Sequence, residues 1–398
     1  MMNEVELFQV RIALIQAFLQ DHGYDGILLS RVDNFAMATG GKRNYIWVAT
    51  DIGANSLYVP REGRAYLVGN TIEFPRQMDE ELATLDCEVC KFLWFDETPV
   101  DAGRKKFQGN LVSDDGSLGE NVHAELAVLR ALLTPLELEK YRRLGRLAAE
   151  AMVETLNAIK PGVTETAIAA RLVAEGARRK CLVPVALVAA DGRIAKYRHP
   201  LPTEGPLISG SLVEQAVKGY VMVVGCFMRE GLVVSLTRFK RVGGIPEHIP
   251  DAYARICAVD ALMQEATEPG KTLGDVFAVC QKAYSDLGFP PNEWHNHHQG
   301  GATGYAGRTC KGAPGEQFPV LAEGWERRVK DLCGADVRFG AAFAWNPSAA
   351  GVKSEDTFIL LPDGSKEIVT ATPQLPRIDL AAVLGRETKV VKSGMATK

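Results

Sequence analysis

The stretch "NAIKPGVTETAIAARLVAEGARRK" spans residues 157–180, and a related stretch, "EATEPGKTLGDVFAVCQKAYSDLG", spans residues 265–288. In each, a helix ends at a Pro-Gly pair, a threonine two residues later caps the next helix, and a second helix follows. Strand-like segments come after each helix pair, for example residues 183–190 after the first and residues 341–347 after the second. This internal repeat predicts two α/β halves that share one sheet.

The N-terminal third has the pattern of a separate α/β domain. An amphipathic helix leads into the strand-like "ILLS" of residues 27–30, and further strands follow. Thr134 precedes a proline and is followed three residues later by Glu137, which is a capping box at the start of a long helix. We therefore predict an α/β domain over residues 1–134 and a second domain over residues 135–398.

The composition is that of an ordinary globular protein. Of 398 residues, 46% are hydrophobic and 24% charged, and the net charge of -4 gives no basis for nucleic-acid binding. The first apolar stretch, residues 10–30, is interrupted by Gln, Asp and His, so we expect neither a signal peptide nor a membrane partner, and a cytoplasmic location. The eight cysteines are scattered and are interpreted as reduced thiols.

Five short motifs follow one another in the second part of the chain. They are "RHPLPT" (198–203), "GLVVSLTRF" (231–239), "HHQGGATGY" (297–305), "AWNP" (344–347) and "GVKSEDTFILLPDG" (351–364). With the N-terminal pattern, their order and spacing resemble the creatinase, aminopeptidase P and prolidase family over nearly the whole chain. The resemblance implies an α/β (α+β) fold. Its N-terminal creatinase-like α/β domain would precede a duplicated pita-bread domain with a curved, mostly antiparallel sheet.

The resemblance also tests for a metal centre. Peptidases of this family hold two divalent metals with two Asp, one His and two Glu, and the matching positions here are Val224, Ser235, Gly301, Asn346 and Glu355. Only Glu355 is a retained ligand. Because one carboxylate cannot hold two metals, the resemblance implies that the centre is lost, and we expect no metal and no other cofactor.

The remaining chemistry is assigned through creatinase, a family member that cleaves a C–N bond with a histidine instead of a metal. Its catalytic histidine corresponds to His199, and an imidazole with an ordinary pKa of about 6.5 can exchange protons at neutral pH. Glu355 is predicted to orient His199, bind a cationic nitrogen or activate water. His297 matches the family's substrate-side histidine and is the third candidate catalytic residue.

Five further residues are predicted to bind substrate. Asn346 keeps the shape of the lost glutamate and can hydrogen-bond an amide or a carboxylate. Tyr197 and Arg198 directly precede the candidate catalytic histidine and favour an anionic substrate group. Gly301 leaves room for a ligand, or for another strand, to approach the backbone. Arg238 matches a family arginine that more often supports the residues of the site than contacts the substrate.

The histidines of residues 294–305 raise an alternative. If this stretch is a strand, His295 and His297 lie on one face and can hold a single zinc or iron, while His298 points the other way. We expect no such metal, because no third ligand with clear spacing accompanies the pair.

Three functions are compatible with these observations. We predict a metal-independent hydrolase, or a lyase, of the creatinase-like type that cleaves a C–N bond in a small amide-, guanidine- or dipeptide-like metabolite. One alternative is an Xaa-Pro-type aminopeptidase or dipeptidase with unconventional metal ligands. The other is a catalytically dead peptidase homologue that binds a ligand or partner. The resemblance also implies a homodimer, for which the loop of residues 39–47 offers aromatic and arginine anchors.

Overall fold

The structure is a computed structural model that describes residues 2–202, 207–208, 211–212, 215–305, 307–308 and 310–397. Thr203, the last residue of the "RHPLPT" motif, lies outside this part of the chain. The fold is mixed α/β, as predicted, and contains both long helices and several sheets.

The N-terminal part is built on one mixed sheet. Its elements are α1 (Glu4–His22), β1 (Gly26–Arg31), α2 (Val32–Thr39), β2 (Ile52–Pro60), β3 (Tyr66–Asn70), α3 (Phe74–Arg76), a π-helical turn (Gln77–Glu81), β4 (Glu88–Phe92), α4 (Pro99–Lys106), β5 (Leu111–Ser113), β6 (Glu120–Asn121) and α5 (Ala127–Ala131). The six strands lie in the order β4-β3-β2-β1-β5-β6. Strand β1 pairs antiparallel with β2 and parallel with β5. Helix α1 begins at a capping box of Asn3 and Glu6, and its apolar side chains are buried in the core.

The duplicated part follows, in two halves. The first half comprises α6 (Pro135–Ala158), α7 (Glu165–Arg178), β7 (Leu182–Ala190), α8 (Gly192–Lys196), β8 (Leu207–Ile208), β9 (Ser211–Leu212), β10 (Tyr220–Arg229) and β11 (Leu232–Arg241). The second half comprises α9 (Ile249–Ala266), α10 (Leu273–Asp286), a 3₁₀ turn (Glu293–Asn296), β12 (Gly300–Thr303), β13 (Cys310–Lys311), α11 (Trp325–Cys333), β14 (Ala341–Trp345), β15 (Ser348–Ala349), β16 (Val352–Lys353), β17 (Asp356–Leu360), β18 (Lys366–Ile368) and α12 (Leu380–Leu384).

The predicted helix pairs are confirmed. Helices α6 and α9 end just before the two Pro-Gly pairs, and Thr164 and Thr272 cap α7 and α10 with their side chains. Each cap accepts a hydrogen bond from the third backbone N–H of the new helix, which satisfies a donor that has no partner within the helix. The same local chemistry therefore starts both halves.

The capping box at Thr134 is also confirmed. The hydroxyl of Thr134 accepts from the backbone N–H of Glu137, and the Glu137 carboxylate accepts from Thr134. The same carboxylate accepts from Nε of Arg11 at 2.9 Å and from the Tyr305 hydroxyl at 2.5 Å. One buried carboxylate thus joins α1, α6 and the segment after β12. The division of the chain into domains at Thr134 stays a prediction.

The halves meet where β11, an edge strand, approaches the start of β17, and they do not form the single uninterrupted sheet we expected. The first half has a sheet of order β11-β10-β7 and the second a sheet of order β13-β12-β14-β17-β18, both antiparallel. Where β11 meets β17, the hydroxyl of Thr357 accepts from the N–H of Ser235 and donates to its carbonyl oxygen. The Thr357 side chain thus bridges the strands beside a backbone hydrogen bond from the N–H of Thr237 to the carbonyl oxygen of Glu355.

No helix in the described part of the chain combines the length and the apolar character needed to cross a membrane.

Candidate active site

Three histidines that are distant in sequence lie together in the structure. His297 and His298 follow the 3₁₀ turn, and His199 lies in the segment after α8. Nε2 of His199 is 3.0 Å from Nε2 of His297. One ring nitrogen from each histidine lies within 4.8 Å of the others. The cluster is therefore assembled from both halves of the repeat, and two of the predicted catalytic residues are in direct contact.

The strand predicted through these histidines is wrong. Residues 293–296 form the 3₁₀ turn and β12 begins only at Gly300, so the alternation of side chains along a strand does not apply to them. His295 is exposed and packs edge-on against the neighbouring tryptophan, away from the cluster. His298, expected on the opposite face from His297, lies beside it with ring centroids 4.4 Å apart.

The imidazoles sit where protonation is unfavourable. Burial lowers the pKa of His297 far below its usual range, and the positive charge of Lys353 lowers it further. Burial, followed by the charge of Arg308, lowers the pKa of His298 to about 3. Burial and Lys353 also lower the pKa of His199, the exposed member of the cluster. All three rings are thus neutral at neutral pH, and each has a nitrogen able to accept a proton.

Glu355 is the buried carboxylate beside this cluster, and only 1% of it is exposed. It accepts from the hydroxyl of Thr237 at 2.6 Å and from Nη1 of Arg308 at 2.5 Å. The ammonium of Lys353 is 3.6 Å away. Burial by itself raises the pKa of Glu355, but Lys353 and Arg308 outweigh burial and hold the pKa well below its usual value. Glu355 is therefore ionised and already paired with cations.

The other four metal positions of the family do not fit a metal. Val224 is packed in the apolar core, and the hydroxyl of Ser235 donates to a cysteine sulfur at 3.2 Å. A Cβ atom on Gly301 would lie 2.0 Å from a carbonyl oxygen of β13. The prediction that Gly301 leaves room for substrate is therefore wrong, because the adjacent strand fills that space. The described residues cannot form the dinuclear centre.

Asn346 is the one replaced ligand that remains in the site. It is fully buried, and its Nδ2 donates to Glu355 at 3.5 Å. Its Oδ1 is buried without a hydrogen-bond partner among the described residues. Nδ1 of His297 and Nδ1 of His298 are also buried without a hydrogen-bond partner among the described residues. Buried polar atoms are normally satisfied, so this concentration of unpaired atoms marks a place that a polar ligand fits.

Arg238 does not bind substrate in this structure. It is buried, and its guanidinium donates five hydrogen bonds to protein groups, among them the side chains of Asp356 and Thr372 and the carbonyl oxygen of Glu355. All of its donor capacity is used. The prediction of substrate contact is corrected, and the supporting role that we favoured matches the geometry. Asp356 is buried in this network as well.

The two residues before His199 have different surroundings. Tyr197 is 42% exposed and lies under the cations of Arg193 and Lys196, which places its ring on the surface. Arg198 forms an ion pair with Glu293, the first residue of the 3₁₀ turn. Its Nη1 is buried and has no hydrogen-bond partner among the described residues. Arg198 thus holds the His199 segment against the turn that carries the other two histidines.

Arg308 and Lys353 are the charged residues that sequence reasoning missed. A signal for Lys353 was present, because Lys353 and Glu355 are two residues apart in an extended segment and their side chains project to the same side. Arg308 follows β12 and returns to the site through a loop, which no periodicity indicates. His298 was missed because a regular strand was assumed.

Comparisons with known proteins agree with this fold. Residues 139–322 match the model of metallopeptidase family M24. An Xaa-Pro dipeptidase of Lactobacillus delbrueckii subsp. lactis is 22% identical over 263 residues, which cover 66% of each chain. Among solved structures, dipeptidase PepE from Mycobacterium ulcerans aligns with a TM-score of 0.69 at 17% identity, over 93% of this chain and 97% of PepE. Prolidase from Thermococcus sibiricus aligns with a TM-score of 0.68 at 16% identity over both full chains.

The architecture is therefore that of the pita-bread proteins. The resemblance to the creatinase, aminopeptidase P and prolidase family is confirmed, and residues 139–322 are the part that matches the M24 model. These matches support hydrolysis of a C–N bond as the class of reaction. They give no support to metal independence, which has to be argued from the residues of this chain.

Proposed function

We propose that this chain hydrolyses a C–N bond in a small amide-, guanidine- or dipeptide-like substrate, with His199 as general acid and base and without a metal. The observation that carries the proposal is the 3.0 Å distance between Nε2 of His199 and Nε2 of His297. That distance is a hydrogen bond in which one neutral ring donates to the other. It fixes the orientation of His199 at the exposed side of the cluster.

The proton path follows from the different burial of the two rings. His297 is 7% exposed and resists protonation, so a proton taken from the attacking water stays on His199. The water oxygen bonds to the substrate carbon, the C–N bond breaks, and His199 returns the proton to the leaving nitrogen. Glu355 lowers the cost of the positive charge that His199 carries between these steps, since its carboxylate favours the protonated ring.

A mononuclear metal at the three histidines is the second candidate, because their nitrogens are close enough to converge on one ion. The electrostatics argue against it. Lys353 and Arg308 already reduce the affinity of these rings for a proton, and the same potential acts twice as strongly on a divalent cation. Glu355, the carboxylate at the site among the described residues, is paired with both cations. A bound metal would have to overcome this net positive surrounding.

A turnover screen tests the proposal. Protein stripped with chelator and shown by elemental analysis to be metal-free is incubated with small amides, guanidines and dipeptides, including Xaa-Pro dipeptides, and release of the amine product is measured. We expect turnover in the stripped protein and no gain when zinc, manganese or iron is restored. Turnover that appears only with metal establishes the second candidate. Saturable binding with no turnover under either condition identifies a binding protein.

We also propose that the chain forms a homodimer through its N-terminal loop. The exposed fractions of Ile46, Trp47 and Val48 are 68%, 69% and 65%, so three adjacent apolar side chains face solvent. Ile46 and Val48 line an open cleft of about 640 Å³, whose other wall includes residues 228–231. Exposed aromatic and aliphatic anchors of this kind are typical of interfaces. Light scattering at micromolar concentration checks the mass, and a monomer contradicts the proposal.

A further inference from the structure

The buried polar atoms without partners are concentrated in one place. Ten side-chain nitrogen or oxygen atoms are buried without a hydrogen-bond partner among the described residues, and five of them lie around the candidate site. The five are Nη1 of Arg198, Nδ1 of His297, Nδ1 of His298, Oδ1 of Asn346 and Oγ of Ser348. The carboxylate of Glu293 joins their segments, because it pairs with Arg198 and accepts from the N–H of Ala350 at 3.1 Å. Since each unpaired atom is unfavourable, their concentration indicates one polar ligand.

The side-chain amide of Asn346 requires a donor from that ligand. Its Nδ2 is 3.5 Å from the carboxylate of Glu355, which is ionised and can only accept, so Oδ1 is the atom left without a partner. Asn346 is fully buried, and its oxygen therefore needs an N–H or O–H brought by the ligand. An ionised carboxylate or phosphate has only acceptors and does not meet this requirement.

Arg198 requires an acceptor from the same ligand. Its Nη2 donates to Glu293, whereas its buried Nη1 has no acceptor in the part of the chain that the structure describes. A guanidinium can only donate, while Nδ1 of a neutral imidazole donates or accepts according to the tautomer, so His297 and His298 fit either kind of group. The ligand that satisfies this mixed set has both an N–H and a carbonyl oxygen.

The charge at the site argues against a cationic ligand. Arg308 and Lys353 carry two positive charges against the one negative charge of Glu355, and the three side chains are only 13%, 3% and 0% exposed, so water screens them poorly. The positive charge of Lys353 helps to lower the pKa of His297, and that of Arg308 helps to lower the pKa of His298. A guanidinium or ammonium group bound there would meet the same unfavourable potential as the proton does.

We infer that the site binds a neutral amide or urea group that carries an N–H, and that Asn346 selects for this N–H. The inference rests on the proposed function for the reaction and narrows its substrates to primary and secondary amides or ureas. It excludes guanidinium compounds, and it excludes Xaa-Pro bonds because the proline nitrogen has no hydrogen. An amide bound there lies beside the proposed acid and base, since His199 is 3.0 Å from His297. The chain thus differs in expected specificity from the Xaa-Pro dipeptidase that it resembles.

Three small probes of related shape test the inference. Acetamide has N–H donors and a carbonyl oxygen, N,N-dimethylacetamide lacks the N–H, and acetamidinium keeps N–H donors but is positively charged. Binding to the full chain is followed through the histidine ring resonances in NMR titrations up to about 100 mM probe. We expect acetamide to bind at least about tenfold more tightly than either analogue. Either analogue binding as tightly as acetamide, or histidine resonances that do not respond to acetamide, would overturn the inference.

Variants of Asn346 assign the selection to one atom. Asn346→Leu removes the acceptor at similar volume and should weaken acetamide binding at least about tenfold. Asn346→Asp keeps an acceptor and adds a negative charge, which should shift the preference towards acetamidinium, and it decides alone if the leucine variant does not fold. Asn296→Leu is the matched control, because Asn296 is exposed in the 3₁₀ turn and should leave the affinities within about twofold. Probe preferences unchanged in both Asn346 variants would show that the amide binds elsewhere.

Turnover separates this inference from the proposed function. Glycylglycine and glycylsarcosine are a matched pair, because sarcosine replaces the N–H of the scissile amide with a methyl group. If acetamide binds as expected while the metal-free wild type hydrolyses no amide or urea, the N–H site stands and the hydrolase proposal falls. If glycylsarcosine and Xaa-Pro dipeptides are hydrolysed as fast as glycylglycine, the hydrolase stands and this inference falls.

Discussion

The two halves of the repeat begin with the same capped helix pair and end in very different strands. In the first half, the β10–β11 hairpin presents Val224 and Ser235 at the positions of two metal-binding aspartates, and both are buried among apolar or weakly polar neighbours. In the second half, His297, Lys353 and Glu355 are buried as well, but they form a charged and polar site. The comparison teaches that this fold does not need its metal ligands to keep its shape.

The stabilising interactions of the halves differ accordingly. All ten residues of β10 are buried or partly buried, so the hairpin is held by apolar packing that tolerates the loss of two carboxylates. The site residues of the second half are instead buried ionised groups, whose desolvation has to be offset by their partners. The buried charged groups of the candidate site thus come from the second half, while the first half contributes the exposed His199.

The largest expected effect is the loss of turnover when His199 is replaced. Replacing it with alanine should lower turnover by about 10²- to 10⁴-fold, because a general acid and base is lost, while the fold is kept. His295→Ala is the matched control, since His295 belongs to the same histidine-rich stretch but is exposed and outside the cluster. Full activity in His199→Ala, with activity and bound metal lost together in His297→Ala and His298→Ala, would transfer catalysis to a metal.

Glu355→Gln should lower the free energy of unfolding. The change leaves the ammonium of Lys353 and the guanidinium of Arg308 buried without a counter-charge, which costs about 3–5 kcal/mol of unfolding free energy. Urea denaturation measures the loss. Glu367→Gln, which removes the exposed partner of Arg142, should cost less than about 1 kcal/mol. Similar values for both variants would mean that Glu355 does not stabilise the buried cations.

Acid should destabilise the protein through its histidines. His298 has a pKa of about 3 in the folded chain and about 6.5 when unfolded, so the unfolded chain binds an extra proton between those values. Stability therefore falls as the pH drops from about 6.5 towards 3, by about 1.4 kcal/mol per pH unit from this residue. In His298→Gln, the unfolding free energy measured by denaturation should depend less steeply on pH across this range.

Two comparisons control the pH experiment. His295→Gln replaces an exposed histidine of the same stretch and should leave the slope unchanged. Asp114 acts in the opposite direction, because burial raises its pKa to about 6 and its contribution is lost as the pH rises above about 4. Asp114 contributes equally in wild type and in His298→Gln, so its contribution cancels when the two unfolding free energies are subtracted. An identical slope in both proteins would show that His298 is not held neutral.

The smallest expected effect is that of metal on stability. A ligand at 100 times its Kd stabilises a folded protein by about 2.7 kcal/mol, which raises the melting temperature by several degrees. Because the first half lacks its carboxylates and Lys353 and Arg308 place positive charge beside the histidines, we expect chelator and added zinc to shift the melting temperature by less than about 1 °C. A zinc-dependent rise that His298→Gln removes would assign a metal to the histidine cluster.

The sequence was sufficient for the fold and for part of the site. The Pro-Gly-x-Thr pattern predicts each helix pair because capping is a local interaction, and the family register correctly places Val224 and Gly301 where no metal fits. The contact between His199 and His297 spans 98 residues and is set by packing of both halves. No local sequence pattern predicts this contact, and none predicts the contact between Arg308 and Glu355.

The carboxylate of Glu137 has a consequence for dissecting the molecule. It lies at the start of α6, yet it satisfies the fully buried guanidinium of Arg11 from the first helix and the hydroxyl of Tyr305 from the far half. A fragment ending at residue 134 would keep two carbonyl acceptors of Arg11 but leave its buried charge without a counter-charge, and the complementary fragment would bury a carboxylate without its cation. The two pieces are thus poor candidates for independent expression, and the intact chain is expected to melt as one cooperative unit.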